Sequence, residues 1–302
     1  MARSPDTPPR TPPAPGAADP VAPTALERPA ALGDPLERAV ARAAAEAALF
    51  GDAAPVTLGR YRVIERAGAG GMGVVWSAWD PELGRGVALK LASSGDAAAR
   101  ARALDEGRAL ARLSHPNVVP IYDVLEHEAG VMLVMELVKG ETLRAYAAGK
   151  PGVLELVRAY RQAGEGLAAA HAAGLVHRDF KPDNAILAED GRVRVLDFGL
   201  AHADGGGGGE IAGTPRYMAP EQRAGEALTA AVDQYALCVA LREAIVAGGA
   251  VPRWLGPILT RGAADRAADR YPSMRALLAA LADDPRTRLR RRGAVAAAVL
   301  GL

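Results

Sequence analysis

The hydrophobic periodicity of this chain changes once, at Lys139-Gly140, and that break limits the fold more than any other feature. Upstream, residues 61–65, 73–79, 86–91, 118–125 and 131–137 read as strands, and 96–113 as one helix. Downstream the pattern is helical, at 141–148, 154–173, 232–247 and 274–281. A small, mostly β lobe joined to a larger helical lobe is an α+β, two-lobed fold with a cleft between its parts. The lobes are expected at 58–138 and 139–282, the second one abridged.

Composition sets the outer limits. The chain has 302 residues and half of them are hydrophobic, enough for one large domain with a real core. Net charge is +1, so nothing argues for nucleic acid or another polyanion as partner. Cys238 is the sole cysteine, which fits a reducing, cytoplasmic compartment, and no signal peptide is legible. Residues 1–57 form a Pro/Ala-rich region expected to be disordered through about residue 33, with a helix at 35–50. Residues 283–302 are basic and then apolar. Ten apolar residues are too few for a bilayer span of roughly 20. Three readings stay open: a membrane segment cut at Leu302, a short tail that packs or touches a membrane surface, or a tail with no anchoring role.

Within this frame the polar residues are placed unevenly. Four lysines stand against thirty-two arginines, and two of the four, Lys90 and Lys181, lie where a compact ammonium suits phosphate chemistry. Gly68, Gly70 and Gly73 fit G-x-G-x-x-G. Alone that is weak, but here a strand follows instead of a helix. This disfavours a dinucleotide fold and suits a hairpin whose backbone N–H groups close over phosphates. Lys90 sits on a strand with Ala88 on the same face, and Glu106 on the following helix could pair with it.

The strongest local signal is His177-Arg178-Asp179-Phe180-Lys181-Pro182-Asp183-Asn184. Asp179 can accept or orient a hydroxyl proton, Lys181 can neutralise a moving phosphoryl group, and Asn184 offers a neutral oxygen to Mg²⁺. Asparagine occurs elsewhere only at Asn117, so Asn184 is not background. His177 reads as a core residue, not a catalyst. Thirteen residues past Asn184, Asp197-Phe198-Gly199 ends a strand and can complete the Mg²⁺ site.

Taken in order, these motifs resemble those of the eukaryotic-like (Hanks-type) serine/threonine protein kinases of bacteria, over residues 58–281. The resemblance implies ATP and Mg²⁺ as cofactors and proteins with Ser or Thr acceptors as substrates, in signal transduction. It implies that Gly68, Gly70 and Gly73 cover the phosphates and that Lys90 holds them while paired to Glu106. It makes Met135 the residue before a hinge where the backbone of Glu136 and Val138 binds adenine. Val75, Ala88 and Ile186 would sandwich the base. Asp179 would be the base, helped by Lys181, with Asn184 and Asp197 as metal ligands. It further implies a Glu221–Arg270 brace, Asp233 anchoring the catalytic loop's backbone, and Thr214 hydrogen-bonded near Asp179 and Lys181.

Two departures stand out. Between Asp197 and Gly213 there is no Ser, Thr or Tyr, and residues 205–209 are all glycine. The basic pocket expected around Arg178 would therefore not need a phosphate: either Asp204 or Glu210 supplies the charge, or the loop stays mobile. Second, the stretch from Asp233 to Arg270 is shorter than the family pattern by on the order of twenty residues. These departures keep a non-catalytic, kinase-shaped scaffold as the rival reading. A small-molecule kinase is disfavoured by Ala219-Pro220-Glu221 and Gly213-Thr214-Pro215.

Overall fold

A computed structural model describes residues 35–50, 54–70, 73–93, 96–127, 130–198 and 214–283. Two compact units divide at Asp52. In the first, α1 (Pro35–Phe50) matches the expected helix and carries an i,i+4 pair between Arg42 and Glu46 at 2.7 Å. The expected disorder before residue 34, and the tail at 284–302, lie outside the described residues.

The second unit opens with β1 (Thr57–Leu58), β2 (Tyr61–Gly70), β3 (Gly73–Asp80) and β4 (Arg85–Ser93). Helix α2 (Ala97–Ala111) follows, capped by the Asp96 carboxylate on the Ala99 N–H at 2.7 Å. β5 (Ile121–His127) and β6 (Gly130–Glu136) complete an antiparallel sheet in the order β1-β2-β3-β4-β6-β5. The register fixes one face of this sheet. Val75 opposes Lys90 and Lys90 opposes Leu133, while Ser77 opposes Ala88 and Ala88 opposes Met135. Cross-strand partners share a face, and so do residues two apart on one strand. Val75, Ala88, Lys90 and Met135 therefore point the same way.

β7 (Gly140–Thr142) pairs with β8 (Ala185–Ala188), which pairs with β9 (Val193–Val195). The helix expected at 141–148 therefore forms only from Leu143, its first two residues being taken into β7. Gly140 has φ +155, and a Cβ there would overlap the Leu187 carbonyl, so the chain passes β8 at glycine range. α3 (Leu143–Ala148) starts only after Thr142, whose hydroxyl accepts from the Ala145 N–H at 3.2 Å. Similarly, the strand expected from 118 begins at Ile121, because Pro120 has no N–H for the ladder. Val118 makes an isolated bridge to Val195 instead.

The helical lobe is built on α4 (Val153–Ala172) and α6 (Ala231–Gly248), with α5 (Pro220–Arg223) and α8 (Met274–Ala282). α6 is apolar almost all round, and Leu237, Leu241 and Ile245 are buried. Each such side chain contributes about 1.5–3 kcal/mol of burial. Gly166 of α4 lets that helix meet the Asn117 carbonyl, where a Cβ would collide. After α6 only residues 249–255 intervene before α7 (Gly256–Gly262), a helix the periodicity did not disclose.

Candidate active site

The loop between α4 and β8 is held from below. Asp233, 1% exposed, accepts from the backbone N–H of His177 at 2.9 Å and of Arg178 at 3.0 Å. Its Oδ2 also lies 2.7 Å from His171 Nε2. Gln222 Nε2 donates to the Arg178 carbonyl at 2.6 Å. These contacts sustain φ +67 at Arg178, a left-handed conformation that costs a non-glycine residue about 1–3 kcal/mol.

His177 is fully buried. Its Nε2 donates to the Leu196 carbonyl at 2.8 Å and its Nδ1 accepts from the Asp179 N–H at 3.3 Å. Burial pushes its pKa down, so the ring stays neutral and fixes the loop to the strand end before Asp197. Rings of Phe180 and Phe198 pack on it. It is a structural residue, as its sequence context indicates.

Above this base the polar groups converge. Asp179 is 5% exposed. One carboxylate oxygen accepts from the Thr214 N–H at 2.9 Å, and the other lies 3.1 Å from Lys181 Nζ. Lys181 also donates to the Thr214 hydroxyl at 3.0 Å. Asn184 Nδ2 donates to the Asp179 carbonyl at 2.8 Å, which orients the amide. Across the cleft, Lys90 Nζ meets Asp197 Oδ1 at 2.8 Å, with Asp197 itself at φ +56. Glu106 is half-buried on α2.

The cleft has a volume of about 470 Å³, within the range of small-molecule sites. Val75, Ala88, Met135, Glu136, Val138 and Ile186 line it, as do Lys181, Asn184 and Asp197. Gly68 also lines it, and Gly70 and Gly73 face each other at the β2–β3 hairpin end. Lys90 lines an adjoining recess shared with Met135 and Asp197. The polar end offers one amide and one carboxylate on oxygen, a hard donor pair that suits Mg²⁺ with a phosphate supplying further ligands.

Sequence reasoning assigned nothing to Ala67, Thr142, Asp183 or Leu196, which also line the cleft. Asp183 lies inside the octapeptide 177–184, where the sequence shows no partner for it. In the fold it receives a bidentate contact from Arg144, both bonds at 2.7 Å, and this hydrogen bonding holds its carboxyl below the usual range. Arg144 Nη2 also reaches the Tyr217 hydroxyl at 3.0 Å, which donates to Glu243 at 2.6 Å. Glu221 grips the wholly buried Arg270 at 2.6 and 2.8 Å. Asp204 and Glu210 lie outside the described residues.

Comparison with known proteins identifies the family. The protein kinase domain family matches residues 61–252. The serine/threonine-protein kinase PknA of Mycobacterium tuberculosis (strain ATCC 25177 / H37Ra) is 40% identical over 205 residues, covering 63% of this chain and 48% of that protein. PknD of M. tuberculosis (strain ATCC 25618 / H37Rv), also a serine/threonine-protein kinase, is 39% identical over 204 residues, 64% of this chain and 30% of its own length. The chain thus spans about half or less of the length of these relatives.

Proposed function

The chain belongs to the protein kinase family, in its bacterial serine/threonine branch, and from that membership we propose that it transfers the γ-phosphoryl group of ATP to Ser or Thr hydroxyls of proteins. The observation that carries the proposal is the convergence of Asp179, Lys181 and Thr214 within 3.1 Å of one another, beside a cleft that Asn184 and Asp197 line.

In this reading the adenine lies among Val75, Ala88 and Ile186, with Met135 behind it and the backbone of Glu136 and Val138 beside it. Lys90 steadies the phosphates, and Glu106 is the second carboxylate proposed for that ammonium. Asn184 and Asp197 would hold Mg²⁺, which when bound neutralises charge on the phosphate oxygens. Asp179 orients the acceptor hydroxyl and takes its proton as the oxygen–phosphorus bond forms and the bond to ADP breaks. Lys181 offsets negative charge on the moving phosphoryl group. The proton transfer by itself contributes typically about 10²–10⁴-fold.

Two finer points belong to the same proposal. Thr214 is occupied by Lys181 and Asp179, so activity does not wait on a phosphate there. Among the described residues no helix is long and apolar enough to cross a membrane; the basic and apolar tail is the segment proposed to touch one.

The test is phosphate transfer from labelled ATP to a generic basic protein in Mg²⁺, beside Asp179→Asn. Transfer by the parent chain and its loss in the variant, with ATP binding kept in both, supports the enzyme. ATP binding without transfer by the parent chain would make this a scaffold.

A further inference from the structure

The peptide unit between Arg178 and Asp179 is held by a side chain at each end. Gln222 Nε2 donates to its carbonyl oxygen at 2.6 Å, and its N–H donates to His177 Nδ1 at 3.3 Å. His177 belongs to the same loop, whereas Gln222 stands on α5, 44 positions away from Arg178. We propose that Gln222 is a positioning residue for phosphoryl transfer. It fixes the plane of this peptide, and through it the direction in which the Asp179 carboxylate meets an acceptor hydroxyl. The assignment rests on the kinase reading above.

The peptide needs such a hold. Arg178 lies in the left-handed region at φ +67, a strained conformation for a residue with a side chain. Asp233 secures the N–H groups of His177 and Arg178, on the near side of that residue. Neither bond stops the next peptide plane from turning about the two single bonds that flank it. That turn leaves both Cα atoms in place and alters the direction in which Asp179 projects. The bonds from Gln222 and His177 oppose it. The bond to His177 is longer than the usual range of roughly 2.7–3.2 Å, so the shorter one from Gln222 supplies more of the restraint.

Gln222 is itself firmly seated. It is buried, its N–H bonds the Ala219 carbonyl at 3.0 Å, and the preceding Glu221 is locked to Arg270. A side chain that only filled space here would need no amide, because leucine has similar bulk and no polar group to desolvate. The segment that ends at Gln222 also contains Thr214, whose N–H binds the Asp179 carboxylate at 2.9 Å. Residues 214–222 thus set Asp179 twice, at its carboxylate and at the peptide before it.

Two measurements on the full chain test this. The first is kinetic. Gln222→Leu keeps the bulk and removes the donor, so kcat should fall about 10-fold, with KM for ATP unchanged. Gln222→Glu separates positioning from packing. A protonated carboxyl donates to the carbonyl as the amide does, and an ionised one cannot. Burial and the facing carbonyl oxygen raise the pKa of a glutamate at this place. The ratio of kcat, variant to parent, should therefore climb towards one as pH falls from about 9 to about 6. Dividing by the parent cancels the titration of Asp179.

The second reads the peptide without turnover. Arg178-Asp179 is the sole Arg-Asp pair in the sequence. Labelling arginine carbonyls with ¹³C and aspartate nitrogens with ¹⁵N therefore yields one NMR amide signal, that of Asp179. It should move in Gln222→Leu. In Gln222→Glu it should return towards the parent position over the pH range in which kcat recovers. The proposal is overturned if Gln222→Leu keeps the parent kcat, if the Gln222→Glu ratio is flat with pH, or if the Asp179 signal ignores both substitutions. Should Gln222→Leu unfold, Gln222→Glu decides, since low pH restores its donor. Should the parent bind ATP and phosphorylate nothing, the kinase reading fails, and the amide signal still decides whether Gln222 holds the peptide.

Discussion

The ammonium of Lys181 and the hydroxyl of Thr214 are joined by a 3.0 Å hydrogen bond, 33 positions apart in sequence. Since the Thr214 N–H also binds Asp179, one threonine positions both charged groups of the proposed reacting centre. Thr214→Val keeps the shape and removes the hydroxyl. A hydrogen bond to a charged group is worth about 1.5–3 kcal/mol, so kcat should fall by roughly 10–100-fold, with KM for ATP little altered. Thr214→Ser should restore most of the rate. Mass spectrometry after incubation with ATP should find activity without phosphate on Thr214.

Glu221 and Arg270 form a bidentate pair in which the guanidinium is wholly buried. Arg270 further donates to the carbonyls of Ala264, Ala231 and Asp265. Removing one member of a buried pair leaves the other uncompensated. Glu221→Ala should cost about 3–5 kcal/mol, measured by denaturant unfolding. A loss below about 1 kcal/mol would mean that the carbonyls alone hold Arg270.

Gly140 admits no side chain. Gly140→Ala would force the β7–β8 crossing apart beside the cleft and would hold alanine at φ +155. Both the melting temperature and the affinity for ATP should drop. The control Gly149→Ala, at φ −69, should change both far less.

Asp183 makes acid stability depend on Arg144. Its pKa is lower folded than unfolded, so the unfolded chain binds the proton first as pH falls. The contribution is present above the unfolded value of about 3.9 and is lost as pH drops through the lower folded value. Arg144→Gln should therefore flatten the loss of stability below about pH 4. Urea midpoints at pH 3, 4 and 6 would show it, and an unchanged slope would exclude Arg144 as the cause.

The chemistry-bearing segments were legible because each is short and contiguous. Residues 177–184 carry a carboxylate, a cation and an amide on one loop, and the alternation along 86–91 already sets Ala88 and Lys90 on one face. The pairing of Glu221 with Arg270 and the anchoring by Asp233 came from the resemblance, and the structure contains both contacts. Local pattern failed at residues 140–142, where composition allows a helix but a partner strand 46 positions away captures the chain. It failed again at α7, whose seven residues are too few to display a period.

Residue order by itself determined the two-lobed division and singled out the groups proposed to react, because strand and helix periods and loop motifs act over a few residues. Only the tertiary structure decided what Arg144 and Gln222 do. Their surroundings come from segments tens of residues distant, and which buried polar atom meets a partner, or is left without one, depends on how those segments pack.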